Sequence, residues 1–242
     1  MSFVEPADVW GAVEGSIAAG FQAAFGVDLK PPFPRIPYRE TMRRFGIDKP
    51  DLRFAMGLVD LTAFARNCGF RVFKEAAEKG GIVRGINASG AGAWSRKDID
   101  ALGTFAQEHG GKGLAWLRVT DAGLDGSIAK FFTDGEREAL REACAGRVGD
   151  LLLFGAGDET TVNGVMGPLR HHLGDKLGLR TPGSFVALGS PSSRSSNATP
   201  RLARSIRRTT RSRRRARWTW RSSHARSRPI RSRSAARATT SS

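Results

Sequence analysis

The N-terminal part of the chain carries a repeating pattern of apolar side chains. Within Pro6–Phe25 they recur every four residues, at Val9, Val13, Ile17, Phe21 and Phe25. This spacing predicts an amphipathic helix over residues 6–25, whose apolar face needs a surface to pack on. The proline-rich run at residues 31–37 excludes a helix there, because each proline restricts the residue before it to extended geometry. A short helix is predicted next, over residues 38–45.

Beyond Asp51 the pattern changes to short β-prone runs that alternate with helical segments. Strands are predicted at residues 70–73, 82–86, 114–119 and 151–154. The last of these runs is continuously apolar, which is typical of a central strand buried on both faces.

Further helices lie between and after these strands. They are predicted from Ser95 to about His109, over residues 134–145 and from Glu159 to about Leu173. Ser95 with Asp98 forms an N-cap signal for the first of them, and Gly110–Gly111 forms its stop signal. The alternation indicates an α+β fold of two layers, in which helices cover one face of a small, mostly antiparallel sheet.

Charge divides the chain into two parts. Residues 189–242 contain 16 of the 39 basic side chains, all of them Arg, together with 14 Ser and no Asp or Glu. Residues 1–188 are therefore neutral, and the sequence pI near 11.2 arises from the tail. An Arg/Ser-rich segment without acidic residues is typical of a disordered tail that binds nucleic acid non-specifically through phosphate contacts.

The cysteine spacing and the hydropathy of the chain indicate its cellular location. Cys68 and Cys144 lie far apart without CxxC spacing, which argues against a zinc site or a disulfide scaffold and favours a reducing cytosol. No stretch approaches the roughly 20 apolar residues that span a bilayer, and no signal sequence opens the chain. We expect a soluble cytoplasmic chain without a membrane partner.

Several polar motifs have both a chemical and a structural interpretation. Gly111–Gly113 lacks the GxxxxGK[ST] spacing of a phosphate loop and precedes a predicted strand, so a tight turn is favoured. His171 and His172 are adjacent on a predicted helix and point about 100° apart, which is poor geometry for one metal ion and indicates surface or rim positions.

The acidic candidates also favour structural roles. Asp158 is predicted to open a helix, where a carboxylate interacts favourably with the helix dipole. Asp48 and Asp51 flank Lys49–Pro50 in a predicted turn, where a local structural role is favoured.

Longer motifs resemble the bacterial-type aspartyl-tRNA synthetases, a class II family. Phe33–Arg35 and Arg44–Arg53 (RFGIDKPDLR) are similar to that family's PFPR … R(Y/F)GSDKPDLR passage, except that Ile47 stands where the family usually has Ser. Marks of the family's GAD insertion domain follow in order, at residues 95–99 (SRKDI), 111–116 (GKGLAW), 129–131 (AKF), 149–156 (GDLLLFGA) and 167–179 (GPLRHHLGDKLGL). Their order and spacing carry the resemblance.

This resemblance implies a division of the chain. Residues 1–56 are expected to be a partial class II catalytic-core segment that follows motif 2, and residues 57–180 the GAD insertion domain. Residues 181–188 are expected to return to the core, with a strand beginning at Phe185–Leu188. In this interpretation the first helix lacks the sheet that it covers in the family, so its exposed apolar face predicts poor solubility or chaperone binding.

The tail at residues 189–242 also has an interpretation as a frameshift. If one nucleotide is lost beside Leu188, the shifted codons after Gly189 permit the family's strand, and those from Arg208 to Arg215 permit its His-His-Pro-Phe-Thr-Ser-Pro signature. The codons from Arg237 to Ser242 permit Arg-Tyr-Asp-Leu-Val. Because three anchors share one frame, the sequence favours a translated frameshift over a selected tail.

The resemblance also implies what chemistry this segment lacks. The family uses ATP and Mg²⁺ to activate aspartate and transfers it to tRNA(Asp). Its motif 2 and motif 3 arginines, the groups that recognise aspartate, the anticodon-binding barrel and the motif 1 homodimer interface are expected outside residues 1–242, and Thr209 and Thr210 replace the signature histidines. We therefore expect no catalytic, cofactor-binding or metal-binding residue in the fragment, and no specific binding of ATP or Mg²⁺.

Two non-catalytic functions stand as alternatives. One is an RNA-binding GAD module with a basic tail, and the other is a GAD module associated with a tRNA-dependent amidotransferase. Residues 1–53 disfavour the second alternative, because they resemble the synthetase core.

Overall fold

The computed structural model of the chain describes residues 5–190, so the predictions for the rest of the tail lie outside the described residues. Seven α-helices lie in this part: α1 (Pro6–Phe25), α2 (Tyr38–Phe45), α3 (Thr62–Ala65), α4 (Arg71–Glu78), α5 (Arg96–Glu108), α6 (Asp134–Ala143) and α7 (Glu159–Lys176). Five strands accompany them: β1 (Leu58–Asp60), β2 (Ile82–Ala88), β3 (Ala115–Thr120), β4 (Gly123–Gly126) and β5 (Leu151–Gly157).

The strands form one antiparallel sheet in the order β1-β2-β5-β3-β4. Its central strand is β5, where Phe154 pairs with Gly85 of β2 on one side and with Ala115 of β3 on the other. The run Leu151–Phe154 is at most 1% exposed. The prediction of a central strand buried on both faces is confirmed, because a continuous apolar run needs cover on each face.

Helices cover both faces of this sheet. Leu152 and Phe154 pack in a core with residues of α3, α4 and α6. Leu151 and Leu153 point to the other face and pack with residues of α5 and α7. The α+β class is confirmed, but the prediction of two layers with helices on one face is wrong. A central strand that is apolar at successive positions requires helices on both sides.

The segment at residues 70–73 was predicted as a strand and forms the start of α4 instead. Phe73 and Ala77, four residues apart, are buried, whereas Val72 is 56% exposed. This burial follows the helical period, so packing of one helix face outweighs the β propensity of the phenylalanines and valine. The short elements β1, β4 and α3 were not predicted.

Capping residues define the helix ends that the sequence marked. The Ser95 hydroxyl accepts a hydrogen bond from Asp98 N (3.2 Å), and Ser95 N donates to Asp98 Oδ2 (3.3 Å), which completes a capping box for α5. Gly110, with φ of 88°, follows the end of this helix as predicted. Asp158 Oδ1 accepts from Thr161 N (2.9 Å), which confirms that Asp158 opens α7.

Helix α1 has the predicted bounds, but its apolar stripe is largely exposed. Val9, Val13 and Ile17 are 52%, 46% and 40% exposed. The buried side chain of this helix is Glu14, which accepts from Phe33 N (3.2 Å) and from Arg35 Nη2 (3.0 Å). Among residues 5–190 no helix combines the length and apolarity needed to cross a bilayer.

The predicted strand at Phe185–Leu188 is not formed. The segment makes an isolated parallel bridge between Arg35 and Gly189, in which Gly189 N donates to Pro34 O (2.9 Å) and Ile36 N donates to Gly189 O (3.0 Å). Phe185 and Val186 are exposed, and Phe185 packs on the rings of α1. A strand needs a partner along its length, and in residues 5–190 the pairing is confined to this one bridge.

Candidate functional site: a buried arginine cluster on helix α7

One face of α7 packs against residues 42–56, the segment that precedes strand β1. The stripe that makes this contact consists of Asn163, Gly167, Arg170 and Gly174, whose spacing places them on one helix face. A Cβ at Gly167 would lie 3.0 Å from Gly46 O, and a Cβ at Gly174 would lie 2.7 Å from the Phe54 ring. The two glycines therefore allow the incoming segment to lie directly against the helix.

Arg170 is the centre of this stripe and is fully buried. Its Nη2 donates to Asp51 O (2.7 Å) and Phe54 O (3.1 Å), and its Nε donates to Met56 O. The guanidinium lies 4.1 Å from the Phe54 ring centroid and 4.8 Å from that of Phe45. Burial lowers the pKa of Arg170 to about 10, partly offset by the Asp51 carboxylate. The side chain thus stays charged at neutral pH and serves three backbone carbonyls.

Arg84 of β2 is a second buried guanidinium on the same side of the sheet. Nη1 donates to Met42 O (2.6 Å) and to Asn163 Oδ1, and Nη2 lies 3.8 Å from Glu159. Burial lowers the pKa of Arg84, and the Glu159 carboxylate opposes that shift. Arg84 therefore ties the end of α2 to the sheet and to α7.

Asp51 joins the two ends of the domain. Its carboxylate accepts from Arg53 Nη2 (2.7 Å) and lies 3.1 Å from Arg180 Nε. Hydrogen bonds from Arg53, with the charge of Arg180, lower the pKa of Asp51 to about 2. The bonds to Arg53 agree with the local structural role predicted for Asp51, whereas neither the contact with Arg53 nor that with Arg180 was predicted. Asp48 lies in the bend before Pro50.

The two adjacent histidines face different neighbours, and both are half-buried. His172 stacks on Phe105 at 4.7 Å, and His109 stacks on the same ring at 4.2 Å. His171 Nε2 is buried without a hydrogen-bond partner. Burial, reinforced by Arg170 and Arg180, lowers the pKa of His171. Within residues 5–190, no group of three or more His, Cys, Asp or Glu side chains is arranged to hold a metal ion.

The Gly111–Gly113 run forms the turn between α5 and β3, as predicted. Gly111 N donates to Ala106 O (2.9 Å) and so ends the helix. Lys112 lines a cavity of about 570 Å³ whose walls are mainly apolar. The α7 N-terminus at this cavity is capped by Asp158 itself. This arrangement is that of a packed turn beside an apolar cleft.

Both cysteines are buried as free thiols in the core that contains α4. Burial raises the pKa of Cys144 to about 12 and raises that of Cys68. Because the thiolate is the reactive form, these side chains act as small apolar groups.

Comparison with known proteins identifies the domain that these helices and strands form. The GAD domain family matches residues 73–166. These residues include four of the five strands and the N-terminal part of α7, up to Met166. The chain thus belongs to the class of proteins that carry a GAD domain.

Curated relatives match a longer stretch of the chain than the domain family does. The chain is 52% identical over 180 residues to the aspartate–tRNA ligase of Geobacillus kaustophilus (strain HTA426), which is 74% of this chain and 30% of that ligase. It is 48% identical over 182 residues to the aspartate–tRNA(Asp/Asn) ligase of Moorella thermoacetica, which is 75% of this chain and 30% of that ligase. The corresponding ligase of Symbiobacterium thermophilum is 47% identical over 189 residues, 78% of this chain and 32% of that ligase.

The chain spans about a third of the length of these relatives. At this identity, and with the GAD domain in place, it corresponds to a fragment of a bacterial aspartate–tRNA ligase. The arginine cluster had not been assigned a role from the sequence. Its signal was the stripe of Asn163, Gly167, Arg170 and Gly174, in which polar and small residues replace apolar ones on a buried helix face.

Proposed function

We propose that this chain contributes the GAD domain and its connections to an aspartate–tRNA ligase, which attaches aspartate to tRNA in translation with ATP and Mg²⁺. The observation that carries the proposal is the 52% identity over 180 residues to a curated aspartate–tRNA ligase. Aspartate and tRNA(Asp) are the expected partners of the whole enzyme, and the cytoplasm is its expected compartment.

The proposed division places the catalytic-core segment at residues 1–56, the GAD domain at 57–180 and the return to the core at 181–188. The family match at residues 73–166 lies inside the second part. Helix α2 and residues 42–56 belong to the first part by sequence but pack against α7 of the second. We therefore propose that the core segment is joined to the domain by a packed interface.

We expect residues 5–190 not to bind ATP or Mg²⁺ specifically. They contain no arrangement of acidic and histidine side chains for a metal ion. The buried guanidiniums of Arg84 and Arg170 already bind backbone carbonyls, and Asp51 already binds two arginines. Charge stabilisation in phosphoryl and acyl transfer requires cations aimed at the reacting atoms, and these cations point elsewhere.

We expect the 242-residue chain to show no aspartate-dependent exchange of pyrophosphate into ATP. The buried guanidiniums of Arg84 and Arg170 are committed to structural contacts, so they are not free to bind the phosphates. The measurement is isotope exchange with and without aspartate, with the Geobacillus kaustophilus ligase as the positive control. Aspartate-dependent exchange above the no-enzyme background contradicts the proposal.

The proposal includes a frameshift beside Leu188 as the origin of residues 189–242. It is supported by the shifted-codon agreement and by the length of the relatives' matches, which cover 180 to 189 of the 242 residues. Resequencing the gene across codon 188 tests it. A nucleotide sequence that, read one base over after codon 188, encodes nothing similar to the ligase family overturns it.

The basic tail favours one second candidate function, RNA binding. Residues 189–242 carry 16 Arg and no acidic residue. If six to ten of these arginines contact phosphates, affinity for a tRNA is expected to fall by about 10³ to 10⁵ between 50 and 200 mM salt. Electrophoretic or anisotropy titrations at several salt concentrations measure the slope. Deletion of residues 189–242 is the control, and retained affinity after deletion shows that the tail is not the binding element.

The association with a tRNA-dependent amidotransferase is the weaker candidate. The relatives described above are ligases, and their matches cover about three quarters of this chain. A domain match alone fits either family, whereas a match of that extent favours the ligase.

A further inference from the structure

The two chain segments that connect to the domain lie side by side at one place. The incoming segment passes through residues 51–56, and the outgoing segment follows α7 through residues 175–180. Arg180 bridges them, because its Nε lies 3.1 Å from Asp51 Oδ2 and its Nη1 lies 2.7 Å from Asp175 Oδ1. Sequence positions about 130 apart are thereby held within one ion-pair network.

Arg170 holds the incoming segment from the other side. Its guanidinium donates to the backbone carbonyls of Asp51, Phe54 and Met56. These three residues lie in a segment that is neither helix nor strand. Backbone carbonyls buried away from water need donors, and a non-helical segment does not supply them internally. Arg170 therefore provides the hydrogen bonds that this segment cannot make with itself.

We call the two connecting segments, residues 51–56 and 175–180, the neck of the GAD domain. We propose that Asp51, Arg170 and Arg180 form a clamp at this neck, which fixes the incoming segment against α7 so that the domain and both connections behave as one rigid body. Asp51 is shared by both halves of the clamp, since its carbonyl binds Arg170 and its carboxylate binds Arg180. The clamp gives the ligase an orienting joint between the inserted domain and the rest of the enzyme. Its existence does not depend on the proposed ligase activity.

Burial distinguishes the clamp from the ordinary ion pairs of this chain. The side chains of Asp51 and Arg180 are 14% and 26% exposed, and Arg170 is fully buried. By contrast, Arg141 and Glu138 on α6 pair at 2.5 Å with side chains 42% and 51% exposed. Exposed pairs of this kind contribute little, whereas removing one partner of a buried network leaves the others unsatisfied.

Close backbone packing restricts the incoming segment to one path along α7. Gly46 adopts φ of 70° and meets Gly167, and the Phe54 ring lies against Gly174. Side chains at these two α7 positions would collide with the incoming segment. The two glycines therefore leave room for the segment at these positions, and Arg170 and Arg180 hold it there.

Trypsin tests the clamp on the full 242-residue chain, because two of its cleavage sites lie at the neck. The bonds Arg53–Phe54 and Arg180–Thr181 are the reporters, and their initial cleavage rates are measured by mass spectrometry at neutral to mildly alkaline pH. Cleavage requires local opening, so the rate reports how often the neck opens. We expect both bonds in the wild-type chain to be cut at least 100-fold more slowly than in synthetic peptides of the same sequence.

Substitutions then assign the protection to the clamp. Arg170→Met keeps much of the side-chain volume but removes all donors, and at least tenfold faster cleavage at Arg53–Phe54 is expected. Asp51→Asn retains the carbonyl that binds Arg170 but loses the charge that holds Arg180, and at least tenfold faster cleavage at Arg180–Thr181 is expected. Arg141→Met is the matched control and is expected to change neither rate by more than twofold.

Two outcomes overturn the proposal. One is wild-type cleavage at the neck as fast as in the peptides, which shows that the connections are open in solution. The other is unchanged cleavage in both Arg170→Met and Asp51→Asn. Should Arg170→Met fail to fold, Asp51→Asn alone decides, because its isosteric side chain leaves the buried donors in place.

Discussion

Replacing Leu153 by alanine is expected to lower the free energy of unfolding by about 3 to 4 kcal/mol. Leu153 is fully buried on the central strand, opposite Ile86 of β2 and Trp116 of β3. Its side chain packs in the core formed with α5 and α7. Since strands flank it on both sides, the surroundings have little freedom to collapse into the space left by the three removed carbon atoms, and the cavity term adds to the transfer term.

Urea denaturation followed by tryptophan fluorescence measures this loss. The midpoint is expected to fall while the dependence of free energy on urea stays the same, because the mutation changes stability rather than the surface exposed on unfolding. Val148→Ala, at a side chain that is 55% exposed, is the control and is expected to change stability by less than about 0.5 kcal/mol. A loss of less than 1 kcal/mol at Leu153 means that β5 is not at the centre of the sheet.

The elements that the sequence predicted correctly are those with strong local signals. Strand β5 was predictable because its short apolar run is flanked by Gly149 and Gly155, which favours a buried strand over a helix. Helix α5 was predictable because Ser95 and Asp98 cap it reciprocally. The start of α4 was mispredicted because Phe70, Val72 and Phe73 suit either period over four residues. The buried pair Phe73 and Ala77 resolves the ambiguity, but it extends beyond the run that was read as a strand.

The layer arrangement was harder to predict than its elements. A β5 strand that is buried on both faces implies helices on both faces of the sheet. The alternation of strands and helices, in contrast, predicted helices on one face only. The two predictions conflict, and the structure resolves the conflict in favour of the strand pattern. Alternation between Leu152 on one core and Leu153 on the other is the physical reason.

The arginine cluster shows what a single sequence does not reveal. Arg170 lies within the GPLRHHLGDKLGL motif that supported the family resemblance, but its partners lie 114 to 119 positions earlier. Those partners are backbone carbonyls, so they leave no side-chain signature. Asp51 was correctly given a local structural role, whereas its ion pair with Arg180 joins residues 129 positions apart and leaves no local pattern in the sequence.

The domain and the N-terminal helix differ in how their apolar surface is covered. The sheet and its helices bury two continuous cores. Helix α1 leaves Val9, Val13 and Ile17 exposed and buries Glu14 instead. The other face of this helix is held by the Glu14 carboxylate and by Trp10, whose ring centroid lies 5.0 Å from the Arg35 guanidinium. This difference fits a core segment that packs elsewhere in the ligase family, and the predicted poor solubility of the fragment stays a prediction.

The stability contributed by Asp51 is expected to be lost as the pH falls from about 4 to about 2. The pKa of this carboxyl is about 2 in the folded chain, against about 3.9 when unfolded, so the unfolded chain takes up the proton first. A lowered folded pKa means that the contribution is complete above pH 4 and disappears through pH 2. The shift corresponds to about 2 kcal/mol at neutral pH, and the side chain is only 14% exposed, so solvent screening reduces it little.

Comparison with Asp51→Asn isolates this contribution from the other titrating groups. The difference in unfolding free energy between the wild-type and Asp51→Asn chains is expected to be nearly constant from pH 7 to pH 5 and to shrink as the pH falls to 3. His171 also disfavours folding in acid, because its lowered folded pKa leaves the unfolded chain to bind the proton below about pH 6.5, but it is present in both proteins and largely cancels. A difference that stays constant down to pH 3 shows that the Asp51 carboxylate is not ion-paired in solution, and removes the Arg180 half of the neck clamp.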